Sequence, residues 1–249
     1  MAAAPRDRIL DKLDAYLAKQ DFVAAERHLS FWLSEAIATS DSATEMLVRS
    51  ELVGLYRKLD RREEGLAAVR ATLDRVAALG LTDTVGGATA YLNSATAYKA
   101  FGDPDSSFPL FTHARAIYER DLPADDARLG GLYNNMALTL VDLARFREAD
   151  ELYRRAVSVM ERVPRGGLEV AITYLNMASA AEAEEGLLAA DEKILSLLDR
   201  ARALLDADKS PDGYYAFVCE KCASVYSYYG QFAYAAELQG RARRIYEGT

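Results

Sequence analysis

The sequence predicts an all-α protein, an α-solenoid of about six antiparallel helix-hairpin repeats. Two observations carry this. Helix-forming residues dominate, with about 44 alanines and abundant Leu, Arg and Glu, against only 6 prolines and 15 glycines in 249 residues. A short pattern, Tyr-x-Asn-x-Ala, also recurs at Tyr91–Ala95, Tyr133–Ala137 and Tyr174–Ala178, with Asn-to-Asn spacings of 42 and 41. A fixed period of this length marks stacked supersecondary units rather than one globular core.

Each unit is expected to hold two amphipathic helices around a breaker. The first, about 6–40, turns at Lys19-Gln20-Asp21-Phe22, and the second, about 41–82, at Leu59-Asp60-Arg61. The third, about 83–124, turns at Phe101-Gly102-Asp103, where Pro104 suits the first helical position behind an Asp cap. Pro109 fits that helix only if it starts late or bends. In the fourth, about 125–165, one helix runs over Leu132–Leu143 and the next over Phe146–Arg162, separated at Ala144-Arg145-Phe146. The fifth, about 166–210, carries four extra residues near Gly186-Leu187-Leu188-Ala189, one helical turn, which predicts a lengthened helix or hairpin. The sixth, about 211–249, turns at Tyr229-Gly230-Gln231-Phe232. Pro123, Pro164 and Pro211 stand between units, where one helix ends before the next begins. Together the units read as a single domain, 1–249.

These residues resemble the tetratricopeptide repeat (TPR) family. The match lies in the small residue followed three later by Tyr or Leu (Ala95/Tyr98, Ala137/Leu140, Ala223/Tyr226). Downstream comes a second spaced set, Ala149/Tyr153/Ala156, with Ser107/Phe111/Ala114 and Ala235/Gln239/Ala242 at the same spacing. Tyr91, Tyr133 and Tyr174 occupy the usual Trp slot. The period is near 42 instead of about 34, which is most similar to the long-repeat, kinesin-light-chain type. The likeness is strong over 88–247 and weaker over 6–79, where Arg49 replaces the Tyr and Trp32 fills a slot that is usually small. The resemblance implies a right-handed superhelix with first helices on its concave wall, and often an extended peptide bound there.

Rotation by 100° per residue puts Asn93 opposite the core-facing Tyr91. The equivalent stripes are Asn135 with Gly131, Leu138 and Asp142; Asn176 with Ile172, Ser179 and Ala183; and Lys221 with Phe217, Ser224 and Tyr228. An asparagine offers a donor and an acceptor, the complement of a peptide backbone. The candidate peptide site is therefore Asn93, Thr96, Lys99, Asn134, Asn135, Leu138, Asp142, Asn176, Ser179 and Lys221. In the competing reading each Asn bonds to the neighbouring repeat and holds its pitch. The resemblance also implies that a clamp for a C-terminal carboxylate would need Lys and Arg beside Asn. Ser50, Leu92, Thr96, Asn134 and Leu138 stand there, and only Lys221 is basic at its rung, so a chaperone-tail adaptor is not expected.

The net charge of −8 and pI near 5.0 oppose general binding to nucleic acid or an anionic membrane. Met1-Ala2-Ala3-Ala4-Pro5-Arg6-Asp7-Arg8 has no apolar signal-like stretch, and no run reaches membrane-span length, so a cytoplasmic protein is expected. Cys219-Glu220-Lys221-Cys222 resembles a redox or zinc motif. Its cysteines, however, fall on the Tyr91 and Met136 slots, both core-facing, and His28 and His113 lie on second helices of distant units. Neither a metal site nor a cofactor is expected. Glu182-Ala183-Glu184-Glu185 reads as a solvated helix end. Gly86-Gly87, Gly130-Gly131 and Gly166-Gly167 lack the strand and GK[ST] of a phosphate loop, and the latter two pairs fall within or before a first helix, where they ease entry or close packing. No catalytic signature is present, so the chain is expected to be a non-enzymatic adaptor for a protein or peptide partner.

Seven of the 15 tyrosines fall in the last unit. Tyr214, Tyr215, Tyr228, Tyr229, Tyr234 and Tyr246 are candidates for a self-association patch that would give a homodimer, because tyrosine suits a surface that is wet or dry by turns. The competing reading, for these and Tyr226, is filling of a fat terminal repeat. A third functional class is a regulatory module sensing a short signalling peptide.

Overall fold

A computed structural model describes residues 6–208 and 212–248; the inter-unit position of Pro211 and the N-terminal run Met1–Pro5 lie outside them. The described residues form twelve α-helices and no strand. They divide into two compact units, one running to Asp121 and the other starting at Leu122. The first holds α1 (Arg6–Ala18), α2 (Phe22–Ala38), α3 (Ser42–Lys58), α4 (Arg62–Ala78), α5 (Val85–Ala100) and α6 (Pro104–Asp121). The second holds α7 (Ala127–Asp142), α8 (Phe146–Met160), α9 (Gly167–Glu185), α10 (Asp191–Ala207), α11 (Gly213–Tyr228) and α12 (Phe232–Glu247). In each unit every odd helix packs on the even helix after it, and first helices also pack on one another, α3 on α5, α7 on α9 and α9 on α11.

The turns have one physical cause. Two residues past the end of seven helices the backbone enters the left-handed region, at Gln20, Ser40, Asp60, Gly80, Gly102, Ala144 and Gly230. The amide after each reaches back to an orphan carbonyl of the last turn: Asp103 N donates to Tyr98 O at 3.0 Å, Arg145 N to Leu140 O and Gln231 N to Tyr226 O, both at 2.8 Å. That closure satisfies backbone groups which would otherwise be left exposed at the helix end. In three of these turns the following helix starts beneath an acidic cap, whereas α4, α8 and α12 follow Arg61, Arg145 and Gln231 with no side-chain cap. Asp21 accepts from Ala24 N, Asp41 from Thr44 N and Asp103 from Ser106 N. The Ser106 amide and hydroxyl hold the Asp103 carboxyl below its ordinary value.

Pro104 opens α6 as expected. Pro109 lies inside α6, which opens at Pro104 and so does not start late. Asp105, whose carbonyl loses its amide partner, is exposed, as is Pro109, so water can satisfy the freed group. The extra residues of the fifth hairpin are shared between α9, the longest helix described, and a loop over 186–190 that leaves the helix through Gly186 at φ 85°.

Of the first helices, α9 buries the most side chains, nine from Leu168 to Ala181. In three hairpins the tyrosine of the repeat motif is closed off by a basic or imidazole group of the second helix. His113 meets the Tyr91 ring edge at 4.6 Å, Arg155 lies 4.3 Å over Tyr133, and Arg200 lies 4.0 Å over Tyr174. Arg155 and Arg200 also donate to the phenol oxygens, at 2.7 and 2.5 Å. Arg241 stands at the same register in the sixth hairpin. Cys219 fills the tyrosine slot there, and Arg241 reaches Tyr215, one turn earlier, at 3.0 Å. The second hairpin, where Arg49 takes the slot, substitutes an ionic knot: buried Glu45 accepts from Arg49 and Arg75.

Backbone approach explains two of the glycines. A Cβ on Gly87 would fall 2.0 Å from the Leu81 carbonyl oxygen, and one on Gly166 2.0 Å from that of Met160.

Candidate functional site

The solvent-facing stripes of the first helices are clearest in the second unit. On α11, Phe217 is 50% and Tyr228 68% exposed, with Lys221 and Ser224 exposed between them at helical spacing. Lys221 makes no ion pair with the described residues, while the opposite side of the helix, from Tyr215 through Cys219 to Tyr226, is buried. On α9, Ser179 and Ala183 are exposed and Asn176 is half-buried. Ile172, expected on the same stripe, is instead buried, because α7, α8, α10 and α11 all pack around α9. On α7, Asp142 is exposed, and Gly131, Asn134, Asn135 and Leu138 are half-buried.

Asn176 Nδ2 donates to Asn134 Oδ1 at 3.0 Å, so these two amides join neighbouring repeats. The pair keeps an acceptor on Asn176 and donors on Asn134. The Asn135 side chain has no partner among the described residues. In the first unit, Asn93, Thr96 and Lys99 stand half-buried on α5, and the Thr96 hydroxyl is turned inward to Leu92 O at 2.8 Å.

The C-terminal tyrosines are mostly bound within the chain. Tyr215 and Tyr234 are buried, which takes them out of any docking surface; Tyr215 donates to Leu205 O and Tyr234 to Asp206. Tyr226, buried as well, donates to Leu198 O at 2.7 Å. Tyr214 is tied to Glu169, and Tyr228 and Tyr229 donate to the two oxygens of Glu182 at 2.7 and 2.8 Å. The hydrogen bond to Glu182 holds the Tyr228 phenol above its ordinary pKa, and burial first, then that carboxylate, pushes Tyr229 up to about 12. These bonds tie α11 to both ends of α9. Glu182 is thus part of a repeat junction, while Glu184 and Glu185 are exposed. Tyr246 is 55% exposed, with a long contact of 3.4 Å to Glu220.

Cys219 and Cys222 are free, buried thiols, and burial pushes Cys222 up to about 12, which leaves almost no thiolate for redox or metal chemistry. His28 and His113 each meet a backbone carbonyl, of Ile9 and Thr82. The described residues hold no metal-type cluster, and none of their helices is long and apolar enough to cross a membrane.

Two adjoining clefts between α8 and α10 carry no sequence signal. One, of about 460 Å³, is lined by Met160, Val163, Val170 and Leu204; the other, of about 420 Å³, by Val157, Met177 and Leu197. Tyr174 and Arg200 line both. Their residues are scattered over three helices and share no periodicity.

No protein-family model matches the chain, and no curated protein matches it. Solved structures do. A putative kinesin light chain from Podosopora anserina with nearly identical TPR-like repeats matches at TM-score 0.54 and 19% identity, covering 79% of this chain and 92% of that one. BtubC (BKLC) from P. vanneervenii matches at TM-score 0.60 and 19% identity, with coverages of 93% and 91%. A Rap protein complexed with Competence and Sporulation Factor matches at TM-score 0.62 and 14% identity, covering 99% of this chain and 66% of that one, so this chain spans just under two thirds of its length. The fold is therefore an all-α helix-hairpin repeat fold of the TPR-like type. Its long hairpins are similar to those of the kinesin light chains.

Proposed function

We propose that the protein is a non-enzymatic interaction scaffold whose second unit holds an extended segment of a protein or peptide partner along the exposed faces of α7, α9 and α11. The observation that carries this reading is the α11 stripe, where Lys221, with no ion pair among the described residues, stands between exposed Phe217 and Tyr228. One cation flanked by two aromatic faces suits an acidic group beside an apolar side chain, and such residues supply most of the energy at small interfaces. Asn135, the Asn134–Asn176 pair and Ser179 would take the main chain, with Leu138 and Asp142 alongside. Asn93, Thr96 and Lys99 form a separate candidate surface on α5. A Rap protein of similar fold has been solved complexed with Competence and Sporulation Factor, which supports seeking a regulatory peptide or protein as ligand.

Selecting a phage-displayed random peptide library on the full chain, then titrating the enriched peptides, tests this. Lys221→Ala or Phe217→Ala is expected to weaken binding about tenfold or more, with helical circular dichroism unchanged. Enriched peptides that bind wild type and both variants equally would overturn it.

A further inference from the structure

Helix α2 differs from α4, α6 and α8, although Leu195 on α10 and Phe232 and Tyr246 on α12 are exposed as well. Its solvent arc holds Val23, Arg27, Ser30, Phe31, Ser34, Glu35, Ile37 and Ala38. Three of these are large apolar side chains left open, Val23 at 79%, Phe31 at 56% and Ile37 at 52%. No large apolar side chain is exposed on α4, α6 or α8, whose outer faces carry charges instead. Trp32, half-buried, meets the Phe31 ring edge-on at 5.4 Å and steadies it outside the core. An apolar strip of this kind on a soluble face marks an interaction site.

The charges on the arc say what fits it. Only Arg27 and Glu35 are ionised there; both are exposed, and neither forms an ion pair with the described residues. Eight residues separate them, about 12 Å along the axis, too far to pair within one helix. Each stands four residues from Phe31, one on either side, and within about 40° of it around the helix. A two-fold axis beside Phe31 would lay two copies of α2 antiparallel and set Arg27 of each opposite Glu35 of the other. The same axis brings the two Phe31 rings together and sets Val23 against Ala38 of the other copy. Around Phe31 the face is therefore complementary to itself in polarity and charge, as an isologous interface requires.

We infer that α2 is a self-association face, and that two copies of this chain dimerise through antiparallel α2 helices centred on Phe31. A 17-residue helix is about 25 Å long, so the contact is smaller than the standard interface of about 1,600 Å² and belongs to the weak, concentration-dependent class. This face is remote in sequence from the C-terminal tyrosines, most of which are already engaged within the chain. The inference stands independently of the peptide site.

Sedimentation velocity on the full chain, from micromolar to millimolar, tests it. Wild type is expected to move from monomer to dimer. Arg27→Glu and Glu35→Arg, each of which opposes like charges twice across the axis, should each weaken dimerisation about tenfold or more, and the double variant should restore it. Restoration cannot come from a misfolded chain. Phe31→Cys, placed at the axis, should form a disulfide-linked dimer under mild oxidation. A chain that stays monomeric throughout, a dimer indifferent to both reversals, or a double variant that remains weak would overturn the proposal. So would a dimer dissolved by Tyr246→Ala but untouched at Phe31.

Discussion

Ala144 sits at φ 56° in the turn between α7 and α8, where the equivalent turns of the third and sixth hairpins use Gly102 and Gly230. An L-residue with a Cβ is strained in that region, and glycine is not. Ala144→Gly should therefore raise stability by about 0.5–1 kcal/mol, the relief of strain outweighing the extra freedom of the unfolded chain, and urea unfolding checks it. Glu51 is a second residue under strain. Burial, and then the charge of Asp14, raise its pKa. A carboxyl whose folded pKa is raised binds its proton more tightly in the folded state, so it costs stability above that pKa and regains it as pH falls. Glu51→Gln should stabilise the protein at pH 7, with the gain fading toward the ordinary carboxylate range, as thermal melts across pH will show. The aromatic–cation stripe on α11 was legible as a register in the sequence. Exposure was not, since rotation alone put Ile172 on an equivalent stripe and the packing of four helices around α9 buried it.

At the scale of the helix and hairpin, the breakers were the most legible feature, because the short turn between helices leaves a local signature, sharpest where Asp21 and Asp103 cap the next helix. Pro109, inside α6, is a special case of the same signals. The rule that proline ends a helix assumes the freed carbonyl has no other partner, and at an exposed position water provides one. Two of the glycine pairs were read as easing helix entry or close packing, and Gly166 shows why. Gly166→Ala would drive a Cβ into the Met160 carbonyl, a backbone contact that cannot swing away. It should cost about 3 kcal/mol in chemical unfolding, and Gly131→Ala, half-buried but with open space around the added Cβ, should not. Legibility ended where contacts joined elements distant in sequence. Arg155 and Arg200 closing over Tyr133 and Tyr174, and the tyrosines of α11 reaching Glu169 and Glu182, depend on hairpin packing that no local pattern encodes.

For the whole molecule, the forty-residue period identified the architecture because each hairpin needs small and aromatic residues at fixed contacts to bury its face against a neighbour. The same burial requirement assigns most of the tyrosine-rich end to internal filling and leaves few residues of the α7 and α9 stripes open to solvent. Those few carry the functional claim: a partner segment lies along α7, α9 and α11. The most direct test is to map amide chemical-shift changes across the full chain on adding a peptide enriched from the displayed library. The account predicts changes centred on Asn135, Ser179, Lys221 and Ser224. Changes confined to the α8–α10 clefts around Tyr174 and Arg200, with the first-helix stripes unmoved, would contradict it.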